Sequence, residues 1–584
     1  MNCGRGGAED PILSRTHLNT PTQPMRHLAP LAVILLIAVA CEGGKQPSSA
    51  REGPGEATPG GTIVISSGGE PDVLFPPLTA TTTGQQVTSL VYDHLADIGT
   101  SLNTVGDADF KPHLAKSWTW AADSLSIQFH LDPLAKWHDG VPVRASDVAF
   151  TYAIYKDSTT ASPRAALIAS IDSVTVPDSL TAVFWFSKRS PTQFFEATDP
   201  MVIIPEHALK GVRGQTLRTA PIARAPIGSG RFRFVNWKAG SSLEIAADTA
   251  NYLGRPYLNR VIWSIAPDPN TLFVRLIGGA ADVLEDPSPP ELTQLADHPE
   301  IRATLLSGLD YNFIQFNLRD PANRGRPHPI FADRELRRAL TMAVDRTRIV
   351  QSVYDSLAAA AVGPTVRAYP TTDTTLRQIP YSPDRARRLL DSLGWRVTGA
   401  DSIRHRNGRP LEFTLTVPGS SRNRVNMSMI IQNQLKQVGV KMNIDKVEFT
   451  AFIDREMRRG FDAMLGGWHV EASPAGIRQT WGAGGARAGG SNYGSYVNPV
   501  FDAQADSALS AMTLPERRER FKRAYQTIID DAPAIWLAEP KNSVAISRRI
   551  RTPALRPDAW WSSVAEWWVP RGERIARDSV ASRQ

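Results

Sequence analysis

The pattern of hydrophobic and polar positions predicts a chain that mixes strands and helices. Alternation over 126–131 and 411–417 predicts half-buried strands. A stripe of apolar residues at helical spacing over 427–438 predicts a helix, which Gly439 follows as a C-terminal glycine. Alternation returns over 440–444. The order strand, helix, strand predicts a βαβ crossover and therefore a parallel sheet.

A short apolar run at 463–465 predicts a further strand of that sheet, and two glycines end the run before Trp468. Glu471 follows three residues later. A carboxylate near the carboxyl end of a strand in an open α/β sheet is well placed to meet a ligand. If it is desolvated it needs a cationic partner, because an uncompensated buried charge costs about 3–5 kcal/mol. The residues therefore predict a site for an ammonium group under an aromatic ring, with a solvated surface loop as the alternative interpretation.

Composition limits the function classes. At 584 residues, with 42% hydrophobic and 21% charged residues, the chain is globular and long enough for two or three domains. The net charge of +7 comes from dispersed Lys and Arg without a basic stripe of interleaved aromatics, which argues against nucleic-acid binding. Two cysteines, Cys3 and Cys41, are too few for a disulfide framework or a four-ligand metal site. The glycine-rich stretch 482–490 lacks the spacing of a phosphate loop, so no cofactor is expected.

The amino-terminal region has the order of an export signal. An apolar run at 28–40 follows basic residues, ends in small residues before Cys41 and is too short for a transmembrane helix. Residues 1–24 add little to this signal, and Met25 is an alternative start. The stretch that continues to residue 60 is rich in Gly, Pro, Ser and charge, which predicts a flexible tether.

The end of this signal, AVAC at 38–41, resembles a bacterial lipoprotein signal with its lipobox, although Ala38 stands where that pattern prefers Leu. The resemblance implies that Cys41 is lipidated and becomes the first mature residue. Two or more acyl chains would anchor the protein stably to a membrane.

Nine blocks of sequence follow one another between residues 60 and 570. They are PHLAKSWTW, KWHDGVPVRASDVAFTY, PIGSGRFRFVNW with ANYLGRPYLNRVIW, GGAADV, FADRELRRALTMAVDRTRIV, YSPDRARRLLDSLGW, IIQNQLKQVGVKM, FDAMLGGWHVEASP and NYGSYVNPVFDAQADSA. In this order they resemble the extracellular solute-binding proteins of peptide/nickel-type ABC transporters, the family of oligopeptide- and dipeptide-binding lipoproteins.

The resemblance implies a fold of the α/β class with an α+β extra domain: a two-lobed periplasmic-binding-protein-like clamp whose two crossing segments form a hinge. The crossings are expected near 312–318 and 534–540, with ligand buried between the lobes by hinge closure. The implied boundaries are a signal at 1–40, a tether at 41–60, lobe I at 61–95, 206–311 and 538–584, an additional domain at 96–205, and lobe II at 312–537.

The resemblance also implies roles for individual residues. The family motif Trp-x-x-Asp supplies a carboxylate for the α-ammonium of a peptide, and Trp468 and Glu471 match its spacing with Glu in place of Asp. Arg422 lies near the position of an arginine for the ligand carboxylate, with Arg424 as a rival. Glu70, in a Gly-Glu-Pro motif, matches a position that lines the cleft.

The function implied is that of an exported, lipid-anchored, monomeric protein of the periplasm or cell envelope, not an enzyme. It would capture short peptides and deliver them to an ABC transporter permease with its ATPase subunits. Three alternatives stay open: a binding protein for a nickel chelate, haem, an oligosaccharide or an opine; a secreted hydrolase; and a lipid-anchored sensor or chaperone. Against the hydrolase, the sequence has no HExxH, no GxSxG and no Cys/His cluster.

Overall fold

The structure is a computed structural model that describes residues 56–400, 402–487 and 490–579. The predicted export signal, the lipidation of Cys41 and nearly all of the tether lie outside the described residues. Within the described ranges, no helix combines the length and the apolar character needed to span a bilayer.

The strands are β1 (Thr62–Ser67), β2 (Ala96–Ile98), β3 (Phe110–Pro112), β4 (Ala115–Trp120), β5 (Ser126–Leu131), β6 (Ile171–Asp178), β7 (Thr181–Phe186), β8 (Phe232–Lys238), β9 (Ser242–Ala247), β10 (Arg260–Ile265), β11 (Val283–Glu285), β12 (Ile301–Ser307), β13 (Asp310–Phe316), β14 (Arg319–Asp320), β15 (Asn323–Pro327), β16 (Ala358–Ala360), β17 (Arg396–Val397), β18 (Arg404–Arg406), β19 (Arg409–Pro410), β20 (Glu412–Pro418), β21 (Lys441–Val447), β22 (Ala463–His469) and β23 (Ala534–Ser547).

The α-helices are α1 (Thr82–Val91), α2 (Ala145–Lys156), α3 (Gln193–Thr198), α4 (Pro269–Ile277), α5 (Pro289–Gln294), α6 (Arg334–Met342), α7 (Arg346–Val353), α8 (Pro383–Ser392), α9 (Arg422–Lys436), α10 (Phe449–Arg458), α11 (Ile477–Trp481), α12 (Pro499–Ser510) and α13 (Leu514–Asp531). Short 3-10 helices lie at Ala165–Ile168, His207–Leu209, Gly214–Thr219, Pro221–Ala223, Leu295–Asp297, Asp355–Leu357, Pro474–Gly476, Ala483–Ala486, Trp560–Glu566, Arg571–Glu573 and Ala576–Ser579.

One sheet runs through the described part of the molecule. Its strand order is β21-β20-β22-β13-β23-β11-β1-β10-β9-β8, and β12 and β16 also pair with β23. The first half of β23 pairs with β13 and β16, and its second half pairs with β11 and β12. A single long strand therefore belongs to both halves of the sheet.

The half that contains β20, β21 and β22 confirms the predicted βαβ crossover. β20 and β21 are parallel, with Leu415 opposite Ile444, and α9 connects them. β22 lies on the other side of β20, also parallel, with Leu415 opposite Ala463. The apolar run at 463–465 is therefore part of a strand of the same sheet, as its pattern predicts. Ala463 and Leu465 are buried in this half's core, and Met464 is buried in a smaller cluster with Phe452 and Phe461.

The other half is built around β1, which is parallel to β10 and β11. The antiparallel strands β9 and β8 extend it outward. A separate four-stranded antiparallel sheet, in the order β4-β5-β7-β6, lies between residues 115 and 186 and packs against α2. Both sheets contribute to one continuous hydrophobic core.

The two halves meet where β12 continues into β13 alongside β23. β12 pairs with 541–547 and β13 with 534–538, so 301–316 and 534–547 run as two antiparallel neighbours. The changeover falls at Gly308 and Leu309 on one strand and at Pro540 on the other. The crossings implied by the resemblance, 312–318 and 534–540, overlap β13 and the first half of β23, and their role as a hinge stays a prediction.

Gly308 leaves no space for a side chain at this changeover. A Cβ atom there would lie 2.4 Å from the carbonyl oxygen of Pro540. We expect Gly308→Ala to lower the free energy of unfolding by about 1–3 kcal/mol, because the two crossing strands must separate locally. Gly572→Ala is the matched control, since nothing lies within 4 Å of a Cβ there. Chemical denaturation measures both variants, and equal stability of the two would contradict the close approach.

Candidate functional site

The predicted strand exit at the double glycine is wrong, because β22 continues through both glycines to His469 in register with β13. A Cβ atom on Gly467 would lie 2.5 Å from a guanidinium nitrogen of Arg424 and 3.0 Å from Oδ1 of Asn312, so a larger residue would displace these side chains. Beyond the strand, the backbone N–H of Val470 donates to the carbonyl oxygen of Leu309 at 2.8 Å. The segment that carries Trp468 and Glu471 is therefore tied to the changeover between the sheet halves.

Two cavities adjoin this segment. The aromatic cavity has a volume of about 300 Å³, and its walls include Tyr311, Tyr369, Trp468, Ile477 and Tyr525.

The polar cavity has a volume of about 160 Å³, and its walls include His94, Arg164, Asp199, Arg556 and Asp558. Leu167, His469 and Glu471 line both cavities, so Glu471 lies at their junction.

The Glu471 side chain is exposed at this junction. Within the described ranges its carboxylate makes no hydrogen bond or ion pair, and only its backbone carbonyl is engaged, by the hydroxyl of Tyr369. The predicted carboxylate is thus present at a cavity mouth and open to a ligand. This placement agrees with the ammonium-site interpretation and does not by itself assign the role.

Trp468 is half-buried and stacks on Tyr493, with ring centroids 5.9 Å apart and planes inclined by 16°. Its indole Nε1 is buried and has no hydrogen-bond partner among the described residues. A buried donor without a partner is destabilising, so this nitrogen contributes nothing to holding the ring in place.

Tyr369 is held in place from the crossing strand β23. The buried carboxylate of Glu539 accepts hydrogen bonds from the backbone N–H groups of Val362 at 2.9 Å and Arg367 at 3.1 Å, and it pairs with the Arg367 guanidinium at 2.9 Å. Burial raises the pKa of Glu539, and the Arg367 charge opposes that rise. The loop that reaches Tyr369, and through it Glu471, is therefore fixed to the strand that joins the sheet halves.

His469 adds a titratable group beside Glu471. Its Nδ1 lies 3.2 Å from a carboxylate oxygen of Asp310 on β13. This hydrogen bond raises the pKa of His469, and the charges of Glu471 and Asp558 act in the same direction. A positive charge at this junction is thus already favoured by the protein's own carboxylates.

The two arginines proposed for a ligand carboxylate differ in their surroundings. Arg422 is the first residue of α9, is exposed, and makes no hydrogen bond or ion pair with the part of the chain that is described. Arg424 is half-buried, and its Nε donates to Asn312 Oδ1 at 3.2 Å beside the strand exit. Burial lowers the pKa of Arg424. Neither lines the aromatic or the polar cavity, so their role stays a prediction.

Glu70 is engaged elsewhere. Its Oε1 accepts from Trp237 Nε1 at 2.7 Å and from the Gly240 N–H at 3.1 Å. The Arg224 guanidinium lies 3.7 Å from the centre of the Trp237 ring. Glu70 lines neither cavity, so the structure does not bring it to Glu471.

The described residues contain no group of three or more His, Cys, Asp and Glu side chains arranged to hold a metal ion. The aromatic cavity also has residues that sequence reasoning missed, such as Tyr311, Tyr369 and Tyr525. They come from β13, from the loop after β16 and from α13, and only the tertiary fold brings them together.

Comparison with known proteins decides the family. Residues 109–487 match the family model described as "Bacterial extracellular solute-binding proteins, family 5 Middle". The chain belongs to this family. The resemblance stated from the nine sequence blocks is thereby confirmed.

Relatives of the chain include the oligopeptide-binding protein AppA of Bacillus subtilis, 26% identical over 559 residues that cover 93% of this chain and 98% of the relative. The heme-binding protein A of Haemophilus influenzae is 26% identical over 559 residues, which cover 89% and 95% of the two chains.

Solved structures of this family share the fold. That of Bacillus subtilis AppA with a nonapeptide has a TM-score of 0.69 at 25% identity and covers 88% of this chain and 100% of its own. That of NikZ from Campylobacter jejuni with Ni(L-His) has a TM-score of 0.70 at 24% identity and covers 87% and 99%. The predicted two-lobed clamp of the periplasmic-binding-protein type is confirmed.

The hydroxyl of Tyr369 donates to the carbonyl oxygens of Glu471 and, at 3.4 Å, of Ser473. We expect Tyr369→Phe to lower the free energy of unfolding by about 0.5–1.5 kcal/mol, because both carbonyls lose this donor. Tyr92→Phe is the matched control, since the buried hydroxyl of Tyr92 has no partner among the described residues. Its loss should be neutral or stabilising. Thermal and urea unfolding measure both, and an equal loss of stability in the two variants would contradict this anchoring role.

Proposed function

We propose that this solute-binding protein captures peptides in the cleft formed by the aromatic and polar cavities. The observation that carries the proposal is the Glu471 carboxylate, which lies at the junction of the cavities without a partner among the described residues. A peptide α-ammonium supplies the missing charge. Trp468, three residues earlier, lines the aromatic cavity with its ring.

The chemistry of the cleft suits a peptide ligand. A charge-assisted hydrogen bond to Glu471 would contribute about 1.5–3 kcal/mol. Backbone pairing in the manner of an added strand supplies affinity that does not depend on side chains. Water in the side-chain pockets permits different peptides to bind, because bridging water replaces direct contacts at little cost.

Two relatives support a peptide as the solute. Bacillus subtilis AppA is named as oligopeptide-binding, and its solved structure contains a nonapeptide. SapA of Salmonella typhimurium, 25% identical over 472 residues, is named as a peptide transport periplasmic protein.

The remaining parts of the proposal concern the protein's setting. The chain is exported and anchored to a membrane of the cell envelope through lipid on Cys41. It acts as a monomer without catalytic activity and delivers ligand to an ABC transporter permease, whose ATPase subunits hydrolyse ATP. The lobes have the boundaries predicted from the sequence, with 96–205 as the additional domain. Closing the lobes over a bound peptide desolvates Glu471 and strengthens its ion pair.

Replacing the carboxylate by an isosteric amide tests the role of Glu471. We expect Glu471→Gln to weaken the binding of free-amine peptides by about 10- to 100-fold, which corresponds to the loss of one charge-assisted hydrogen bond. The affinity for N-acetylated peptides should change little. Isothermal titration calorimetry measures both.

Glu566→Gln is the matched control, because Glu566 is also exposed and lines neither cavity. It should bind like the wild type. Unchanged affinity of Glu471→Gln for free-amine peptides would remove Glu471 from the site.

A further inference from the structure

The polar cavity brings together charged groups from distant parts of the chain. Arg164 comes from the segment before a 3-10 helix, Asp199 from the end of α3, Glu471 from the exit of β22, and Arg556 and Asp558 from the carboxyl-terminal region. Three carboxylates and two guanidinium groups thus face one volume of about 160 Å³.

Asp199 makes no direct contact with a cation in the described part of the chain. It follows α3, and its backbone N–H donates to the Phe195 carbonyl at 3.0 Å, but within the described ranges its carboxylate makes no hydrogen bond or ion pair. A negative charge at the carboxyl end of a helix opposes the helix dipole. Burial raises the pKa of Asp199, the charges of Arg556 and Arg164 lower it, and the charges of Asp97 and Glu471 raise it. The carboxylate therefore lies near two cations but, among the described residues, is in direct contact with neither.

The nearby cations make no ion pair with Asp199 within the described ranges. The Arg556 guanidinium pairs through Nε with Asp558 at 2.7 Å and through Nη1 with Asp97 at 3.3 Å, and it acts on Asp199 only through its charge. Arg164 influences the pKa of Asp199 but lies beyond ion-pair distance. Burial lowers the pKa of His94 to about 4, so this histidine is neutral near pH 7.

Among the described residues, Asp199 and Glu471 are consequently two carboxylates of one cavity without a hydrogen bond or ion pair, on segments 272 residues apart. A single ammonium group bound at Glu471 would still leave Asp199 unpaired. His469, beside Glu471, is already paired with Asp310. A second positive charge on the ligand would give Asp199 a direct partner, and a peptide carries two such charges close together when its first residue is basic.

The shape and lining of the cavity agree with this requirement. The polar cavity has room for one long side chain, and its walls also contain apolar groups from Phe195, Val202, Leu309 and Trp561. The methylene stem of a lysine or arginine packs on such groups while its charged end reaches a carboxylate.

We propose that the polar cavity is a subsite for a positively charged first side chain of the ligand, with Asp199 as the residue that selects it. The ammonium or guanidinium of that side chain pairs with Asp199 while the α-ammonium pairs with Glu471. This inference rests on the proposed capture of peptides.

A series of peptides that differ only in the first residue tests the subsite. Lysine, norleucine and glutamine at this position compare a charged, an apolar and a neutral polar side chain of similar length. By calorimetry, we expect wild-type protein to bind the lysine peptide at least about tenfold more tightly than the norleucine peptide, since the pair with Asp199 is shielded from water.

Two variants separate the subsite from the ammonium site. Asp199→Asn should remove the preference for lysine while keeping the affinity for the norleucine peptide. Its melting temperature should change little, because the Asp199 carboxylate makes no hydrogen bond or ion pair within the described ranges. Glu471→Gln should weaken all three peptides by a similar factor.

The outcomes distinguish the two proposals. Equal affinity of the wild type for lysine and norleucine peptides, or a preference for lysine that survives in Asp199→Asn, would overturn the subsite and leave peptide capture intact. Failure of the wild type to bind any of the three peptides would overturn the proposed function and the subsite with it.

Discussion

The structure depends on the strand β23, which is shared by both halves of the sheet. It pairs with β13 and β16 along its first half and with β11 and β12 along its second. Groups near its midpoint reach the cleft: Glu539 fixes the loop that carries Tyr369, and Leu309 on the adjacent crossing strand accepts a hydrogen bond from Val470. A rotation of one half of the sheet against the other would therefore act through residues that also position Glu471. Such an arrangement would connect ligand contact with lobe closure.

The carboxylates of the cleft differ from a carboxylate that is buried in the core of the fold. Asp282, buried beside β1, accepts from the Val64 N–H and pairs with Arg549 and Arg577, each at 2.7 Å. The protein thus compensates a deeply buried carboxylate where it serves the fold, as the cost of an isolated buried charge requires. Asp199 and Glu471 lack such partners in the described chain, and both face the polar cavity. A cationic ligand would supply the ion-pair partner that these two carboxylates lack.

Patterns of neighbouring residues predicted the strands and helices whose formation depends on side-chain periodicity. Alternation and helical spacing gave the βαβ unit at 412–447, because side-chain periodicity follows directly from backbone geometry. The double glycine did not mark the end of the next strand: pairing with β13 carries β22 on to His469. The sequence did not reveal that Tyr369 or Asp199 faces the cleft, since each reaches it only through the tertiary fold. Glu70 illustrates the opposite case. Its sequence motif was recognised, but the sequence did not reveal that its carboxylate accepts a hydrogen bond from Trp237, which is distant in the chain.

The most direct test of peptide capture is mass spectrometry of the small molecules released by mild denaturation from the purified protein without its export signal. A ladder of short peptides is the predicted result, and it would give the range of ligand lengths directly. A single defined species that is not a peptide, such as the haem for which one relative is named, would contradict the account and leave Glu471 without its assigned role.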